Sequence, residues 1–168
     1  ASAVNGRPSF RYDGVSENLA TGAYARTMPL QVFSAFKFVA IGDATHDNMF
    51  TSLTDNTLGF YQDNVGPQYY MFSGTLGVLV NPGTVANGVY ATLRANFNGA
   101  TSEMAIDGTV TDTGDVGANN GSGWRIGGLS ASRWANVEVA EVIEYSSLLS
   151  TSANQRIQSY LKARYATP

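Results

Sequence analysis

The chain has 168 residues, of which 43% are hydrophobic and only 14% are charged, and it contains no cysteine. This composition excludes a disordered solvated chain, disulfide bonds, thiol catalysis and zinc–thiolate sites. The net charge of -3, without a basic cluster, argues against nucleic-acid binding, and no apolar run reaches the ~20 residues of a membrane-spanning helix. We therefore expect a single domain, residues 1–168, with a polar surface of low charge.

Turn dipeptides divide most of the chain into short strands. Pairs that adopt positive φ at low cost recur along the sequence: Asn5-Gly6, Asp13-Gly14, Asn87-Gly88, Asn98-Gly99, Asp107-Gly108 and Gly127-Gly128. Between them we predict strands in the opening stretch and at residues 9–12, 30–41, 49–53, 58–62, 68–72, 76–80, 88–97, 102–107 and 124–126. About ten short strands at this spacing are typical of an antiparallel β-sandwich or jelly roll.

Two of these strands have informative patterns. In residues 88–97, Val89, Ala91, Leu93, Ala95 and Phe97 alternate with Tyr90, Thr92, Arg94 and Asn96, which predicts one face in the core and the other in solvent. Residues 30–41, LQVFSAFKFVAI, are apolar on both faces, as expected for a strand in the middle of a sheet.

A loop and a helix follow later in the chain. Residues 112–123, DTGDVGANNGSG, carry few apolar side chains, and we predict that they form a mobile loop. From Ser150 onward the apolar residues recur at helical spacing: Ala153, Ile157, Tyr160, Leu161 and Tyr165. This stripe predicts one amphipathic helix with Ser150 as its N-cap.

Four segments occur in an order that resembles a known family. They are NGRPSFRYDGVSENLATG at residues 5–22, SEMAIDGTV at 102–110, WRIGG at 124–128 and VAEVIEYSSLLSTSANQRIQSYLKARY at 139–165. Together they resemble the bacterial and phage laminin-G-like jelly rolls of the concanavalin A-like lectin and glucanase superfamily. The resemblance implies an all-β antiparallel sandwich with one C-terminal amphipathic helix. Glu144 departs from the family pattern, because an aliphatic residue usually stands there.

Three glutamates lie in the predicted strand VEVAEVIEY, residues 137–145. Strict alternation would place Glu138 and Glu144 on one face, ~20 Å apart, and Glu141 on the other. Glycoside hydrolysis requires two carboxyl groups ~5 to 9.5 Å apart, so we expect no enzyme activity from this trio. A carboxylate among apolar neighbours is costly to bury without donors. We therefore expect Glu141 to have a structural role, accepting hydrogen bonds that connect the helix or a crossing loop to the sheet.

The loop chemistry suggests calcium more than catalysis. His46 is the only histidine, and without a G-x-S-x-G turn to present a nucleophile we expect it to be a solvated loop residue. Oxygen-rich loops suit Ca²⁺, and some laminin-G-like modules bind it. The candidate ligands form two groups, Asp43, Asp47 and Asn48, and Asp112, Asp115, Asn119 and Asn120. Neither group has EF-hand spacing, and polar loops of this kind also occur without a metal.

Aromatic side chains supply the candidate ligand-binding residues. A sugar stacks its apolar face on a ring while its hydroxyl groups bind nearby polar groups. The candidates are Tyr61, Tyr69, Tyr70, Trp124 and Trp134, with Arg133, Asp63, Asn64 and Arg125 as polar residues nearby in sequence. Each ring could instead pack in the core, and the strand position of Trp124 favours that reading.

Two functions fit these observations. The first is a non-catalytic recognition module that binds glycan or another surface ligand on the outside of a cell or virus particle. The second is a phage virion protein, a capsid decoration or cement protein or a tail-associated one, that contacts capsid proteins or forms a homo-oligomer through an edge strand or the apolar stretch QYYMF. Both predict an extracellular, cell-surface or virion-exterior location. The resemblance favours the first function, and the lack of a signal peptide or linker favours the second.

Overall fold

The computed structural model describes residues 2–41, 46–54, 57–63, 68–74, 78–80, 86–129 and 133–167. Its strands are β1 (Ser2–Val4), β2 (Arg7–Arg11), β3 (Leu19–Ala20), β4 (Ala25–Arg26), β5 (Leu30–Phe38), β6 (His46–Thr51), β7 (Gly59–Asp63), β8 (Tyr69–Phe72), β9 (Val78–Val80), β10 (Ala91–Phe97), β11 (Ser102–Ile106), β12 (Thr109–Gly114), β13 (Gly121–Ser122), β14 (Arg125–Ile126) and β15 (Val137–Tyr145). A short 3-10 helix spans Gly99–Thr101, and helix α1 spans Thr151–Tyr165.

The strands form two layers. As far as the described residues extend, one sheet has the order β1-β2-β15-β5-β10-β11-β12, the other has the order β3-β14-β6-β7-β8-β9, and β13 pairs with β4 in a small ribbon. Neighbouring strands in both sheets are antiparallel. The turns agree with the sequence signals, because Asn5-Gly6 and Asp107-Gly108 join adjacent strands with positive φ at all four residues. The predicted antiparallel sandwich with a C-terminal helix is confirmed.

Aromatic rings fill the space between the two sheets. The Phe36 ring, from the middle of the first sheet, has its centroid 5.6 Å from that of Phe60 and 5.3 Å from that of Tyr69, both from the second sheet. All three side chains are completely buried. Edge-to-face contacts of this kind add about 0.5–1.5 kcal/mol each beyond the area that they bury.

Helix α1 covers the outer face of the seven-stranded sheet. Leu161 and Tyr165 pack against Phe33 and Ala35 of β5 in a second apolar cluster. The helix begins as predicted, since Ser150 Oγ accepts a hydrogen bond from Ala153 N at 3.3 Å. The predicted stripe is wrong at Tyr160, which is 42% exposed.

The helix also explains why one face of β10 is not solvated. Ala91, Leu93, Ala95 and Phe97 lie in the core as predicted. Thr92 and Asn96 on the opposite face are buried too, so the prediction of a solvent-facing side is wrong. Amphipathic alternation cannot reveal a helix that covers the polar side of a strand. Val89 precedes the strand and is 49% exposed.

A β-bulge at Ala140 changes the direction of the side chains in β15. The register against β5 shifts at this residue. Val139 and Val142 both pack toward the inter-sheet core, although strict alternation would place them on opposite faces. Glu138 and Glu144 consequently lie on opposite faces, and the prediction that they share one is wrong.

The stretch 112–123 is not a free loop. Val116 is completely buried, and its carbonyl accepts a hydrogen bond from Ser73 N at 2.8 Å. A Cβ on Gly117 would lie 2.0 Å from Ser73 O, so the backbone there approaches β8 more closely than any side chain would allow. The predicted mobile loop is wrong, because its glycines permit close packing.

Candidate functional site

Two of the predicted ligand-binding aromatics face the core. Tyr69 is completely buried, and burial raises the pKa of its hydroxyl. Trp124 is 4% exposed and packs edge-to-face on Phe50 with 4.8 Å between ring centroids. The Trp124 Nε1 donates to Glu144, and the Arg26 guanidinium lies 3.1 Å from the centre of the indole. A surface ligand cannot stack on either ring, so neither belongs to the candidate site.

Tyr61 and Tyr70 lie on the other face of the same sheet. They are cross-strand neighbours in β7 and β8, and their rings stack at 4.9 Å with an interplanar angle of 5°. His46 of β6 covers the opposite face of Tyr61, with 4.7 Å between the ring centroids. Because side chains stand perpendicular to a sheet, the pair presents ring edges and hydroxyl groups outward.

Trp134 extends this set of side chains across β6. The chain around Trp134 runs alongside β6, where Trp134 bridges Asn48, and Asn48 is paired with Tyr61 on the other side. Ala135 is completely buried in the core, so alternation directs its neighbour Trp134 outward. We call Trp134, Asn48, Tyr61 and Tyr70 the outer-face row. At ~4.8 Å between strands, the row spans about 14 Å.

Polar groups lie beside the members of the outer-face row. His46 Nδ1 lies 3.6 Å from Asp63 Oδ1, and the Tyr70 hydroxyl donates to Gln68 Oε1 at 3.0 Å. Arg133 lies near the Tyr61 hydroxyl, whose pKa is raised to about 12 by burial first and then by Tyr70 and Asp63. Hydroxyl, amide, carboxylate and guanidinium groups are thus brought together beside aromatic rings.

The backbone at Arg133 is strained. Its φ of 56° lies in the left-handed region, which costs a non-glycine residue of order 1 kcal/mol or more. Such residues concentrate at ligand-binding sites, where the surrounding structure holds them. Asn5, Asp107 and Ala166 also have positive φ, so Arg133 belongs to the candidate site because of its place beside Trp134 and Tyr61.

The three glutamates of β15 bind three different sets of partners. Glu138 Oε2 lies 3.0 Å from Lys37 Nζ and accepts from Tyr90 Oη at 2.7 Å. Glu144 Oε2 accepts from Arg26 Nε at 3.2 Å on the inner face. Glu141 faces helix α1. The carboxyl groups of Glu138 and Glu144 do not converge on one groove.

Two of the predicted calcium ligands accept hydrogen bonds from backbone N–H groups. Asp112 Oδ2 accepts from Val80 N at 2.9 Å, and Asp115 Oδ1 accepts from Gly117 N at 2.8 Å. Asp47 is 1% exposed, and Asp43 lies outside the described residues. Across the part of the chain that the structure describes, no three histidine or acidic side chains are grouped as metal ligands. Within that same part, no helix is long and apolar enough to span a bilayer.

Sequence reasoning missed some members of the site. His46 is the first residue of β6 and contacts Tyr61, so its assignment to a solvated loop is wrong. Asn48, a predicted metal ligand, lies buried in the middle of the outer-face row. Tyr61 and Asp63 are two residues apart, and this spacing predicts that they share one face of a strand. His46 and Asn48 join that face only because β6 pairs with β7, which the sequence does not reveal. Asn64 lies outside the described residues.

Comparisons with known proteins show the fold. No family model matches the chain, and a search of curated proteins finds no significant relative. Among solved structures, a Trypanosoma rangeli sialidase in complex with sialic acid aligns with a TM-score of 0.71 at 13% identity, over 95% of this chain and 28% of that one. This chain therefore spans little more than a quarter of the sialidase.

Two other neighbours match over most of their own length. A heptameric SAP-like pentraxin from Limulus polyphemus aligns with a TM-score of 0.66 at 12% identity, over 96% of this chain and 82% of that one. The CBM40 module of a Ruminococcus gnavus IT-sialidase, bound to α2,3-sialyllactose, aligns with a TM-score of 0.60 at 11% identity, over 87% and 99%. These likenesses show the fold, an antiparallel β-sandwich of the jelly-roll type.

Proposed function

We propose that the chain is a non-catalytic glycan-recognition module, which binds an oligosaccharide on the outer-face row of the six-stranded sheet. The observation that carries the proposal is the row itself, in which the stacked tyrosines and Trp134 lie beside the polar groups of Asp63, Gln68 and Arg133. A ligand at this site would lie outside a cell or a virus particle, where glycans are displayed.

The geometry of the tyrosines favours hydrogen bonding over stacking at the centre of the row. Both faces of Tyr61 are covered, one by Tyr70 and one by His46, so a sugar there meets hydroxyl groups and ring edges. The half-buried ring of Trp134 is the stacking platform that remains. Aromatic surface combined with a few oriented polar groups is the usual composition of a small-molecule site.

The structural neighbours support the same proposal. The CBM40 module was solved with α2,3-sialyllactose bound, and it matches this chain over nearly all of its own length. The sialidase was solved with sialic acid. Because sequence identity is low, these proteins support the ligand class only through the shared fold.

The proposal is tested by measuring the binding of the wild type and of matched variants to a glycan array. Tyr70→Phe removes a hydroxyl and keeps the ring stack, and Arg133→Gln removes the guanidinium. We expect each variant to weaken binding of the array hits by about tenfold, as for the loss of one buried hydrogen bond. Arg156→Gln, at an exposed position of α1, is the control for the lost charge and should bind as wild type does.

The outcomes separate the two functions predicted from the sequence. Binding that Tyr70→Phe and Arg133→Gln weaken, and Arg156→Gln does not, supports recognition. A chain that binds no glycan and forms a stable oligomer by light scattering would contradict it, and would favour the virion assembly role. Turnover of a β-glucan that Glu138→Gln abolishes would contradict the non-catalytic assignment.

A further inference from the structure

Two aromatic side chains approach the backbone of the Gly127-Gly128 pair, which follows β14 in the WRIGG segment. A Cβ on Gly127 would collide with the ring of Tyr12, a residue of the inter-sheet core. A Cβ on Gly128 would lie 2.5 Å from Cε3 and 3.0 Å from Cζ3 of Trp134. Carbon atoms in contact are normally about 3.5–4.0 Å apart. A side chain therefore fits at neither position unless a ring moves.

The two glycines are required for different reasons. Gly127 has a φ of 91°, in the left-handed region that favours glycine whatever space surrounds it. Gly128 does not adopt positive φ. The three atoms nearest to a Cβ at this position all belong to the indole of Trp134. The close approach of that indole is thus what excludes a side chain at Gly128.

Hydrogen bonds hold the backbone on both sides of Trp134. Asn48 N donates to Arg133 O at 3.3 Å, and Ala135 N donates to Gly127 O at 3.0 Å. Ala135 is also completely buried. Since the backbone around Trp134 is held against β6 and Gly127, the space at Gly128 determines how close the indole lies to the sheet.

We propose that Gly128 is a positioning residue of the glycan site, which places the indole of Trp134 at the depth where a sugar can stack on it. This role rests on the proposed glycan recognition. A methyl group at Gly128 would push the indole away from the backbone by about 1 Å. A binding constellation tolerates a displacement of only about 0.5 Å, so a sugar stacked on the displaced ring would lose its contacts with the hydroxyl groups of Tyr61 and Tyr70.

The first test compares two glycine-to-alanine variants, with the strongest glycan from the array as the probe. Gly128→Ala should bind it about tenfold more weakly than wild type, as for the loss of one stacking contact. Gly22→Ala is the matched control, because Gly22 is exposed and no atom lies within 4 Å of a Cβ there. It should bind as wild type does. Equal binding by Gly128→Ala and wild type would overturn the positioning role.

A double-mutant cycle separates positioning from a general loss of stability. In Trp134→Ala no indole remains to be displaced, so adding Gly128→Ala should weaken binding no further and lower the melting temperature less than it does in wild type. Effects of the two substitutions that add in full, on binding and on melting, would show that Gly128 acts independently of Trp134 and would refute the proposal.

The indole N–H signals report the ring position without any glycan. The chain has two tryptophans, and the signal of Trp134 is the one that Trp134→Ala removes from the ¹⁵N spectrum. Gly128→Ala should shift this signal more than that of Trp124, which packs in the core against Phe50. An unshifted Trp134 signal would contradict the proposed contact.

The failure of this role and the failure of glycan recognition give different results. A wild type that binds no glycan overturns both, even if Gly128→Ala shifts the Trp134 signal. A wild type that binds glycan as strongly as Gly128→Ala does overturns the positioning role alone, and glycan recognition by the outer-face row stands.

Discussion

Hydrogen bonds to the Glu141 carboxylate hold α1 against β15. Its carboxylate accepts hydrogen bonds from Tyr160 Oη at 3.1 Å and from Tyr165 Oη at 2.8 Å, and Arg164 Nε lies at 3.6 Å. The sequence suggested such a role because a lone carboxylate among apolar neighbours needs donors. It did not identify the donors, since two of them are phenols whose positions depend on how α1 crosses the sheet.

We expect Glu141→Gln to lower stability by about 1–2 kcal/mol, because a neutral amide accepts these hydrogen bonds less strongly and loses the charge opposite Arg164. For a chain of this size, that corresponds to a melting temperature roughly 2–8 °C lower. Glu17→Gln, at an exposed position, is the control and should melt as wild type does. Glycan binding should be unchanged, and an unaltered melting curve of Glu141→Gln would count against the role.

Some structural elements can be predicted from the local sequence alone, and others cannot. The pair Asp107-Gly108 predicts the hairpin between β11 and β12 without any other information, because both residues adopt positive φ. The bulge in β15 has no such signal, because Ala140 is compatible with a regular strand. The burial of the polar face of β10 depends on α1, which is more than 50 residues away along the sequence.

The β11–β12 turn also carries a titratable side chain. Burial raises the pKa of Asp107, although hydrogen bonds from Thr92 oppose this shift. An acid whose folded pKa is raised contributes stability below its unfolded pKa, near 3.9, and that contribution is lost as the pH rises through the folded pKa. The turn is thus less stable with a carboxylate than with a neutral group.

We predict that Asp107→Asn becomes progressively more stable than wild type as the pH increases. Asparagine keeps an oxygen that accepts from Thr92 N, tolerates positive φ and has no charge to desolvate. The difference in melting temperature, variant minus wild type, should therefore increase between about pH 3 and pH 7. A difference that is constant or decreases over this range would show that the carboxylate is not destabilised by burial.

At the scale of the whole molecule, the two sheets have different outer faces. Helix α1 packs on the seven-stranded sheet, whereas the six-stranded sheet presents the outer-face row. The alternation of apolar residues predicted the sandwich, and the aromatic stretches predicted Tyr61 and Tyr70 as candidates. Which aromatics face outward could not be predicted, because Tyr69 and Tyr70 are adjacent and only the strand register decides between them.

The proposed glycan site on the outer-face row can be located residue by residue. The most direct measurement is a ¹⁵N NMR titration of the full chain with the strongest glycan from the array. We predict shifts concentrated at His46, Tyr61, Asp63, Tyr70, Arg133 and Trp134, on one face of the six-stranded sheet. Shifts concentrated instead on α1 and the strands beneath it would contradict the proposed site.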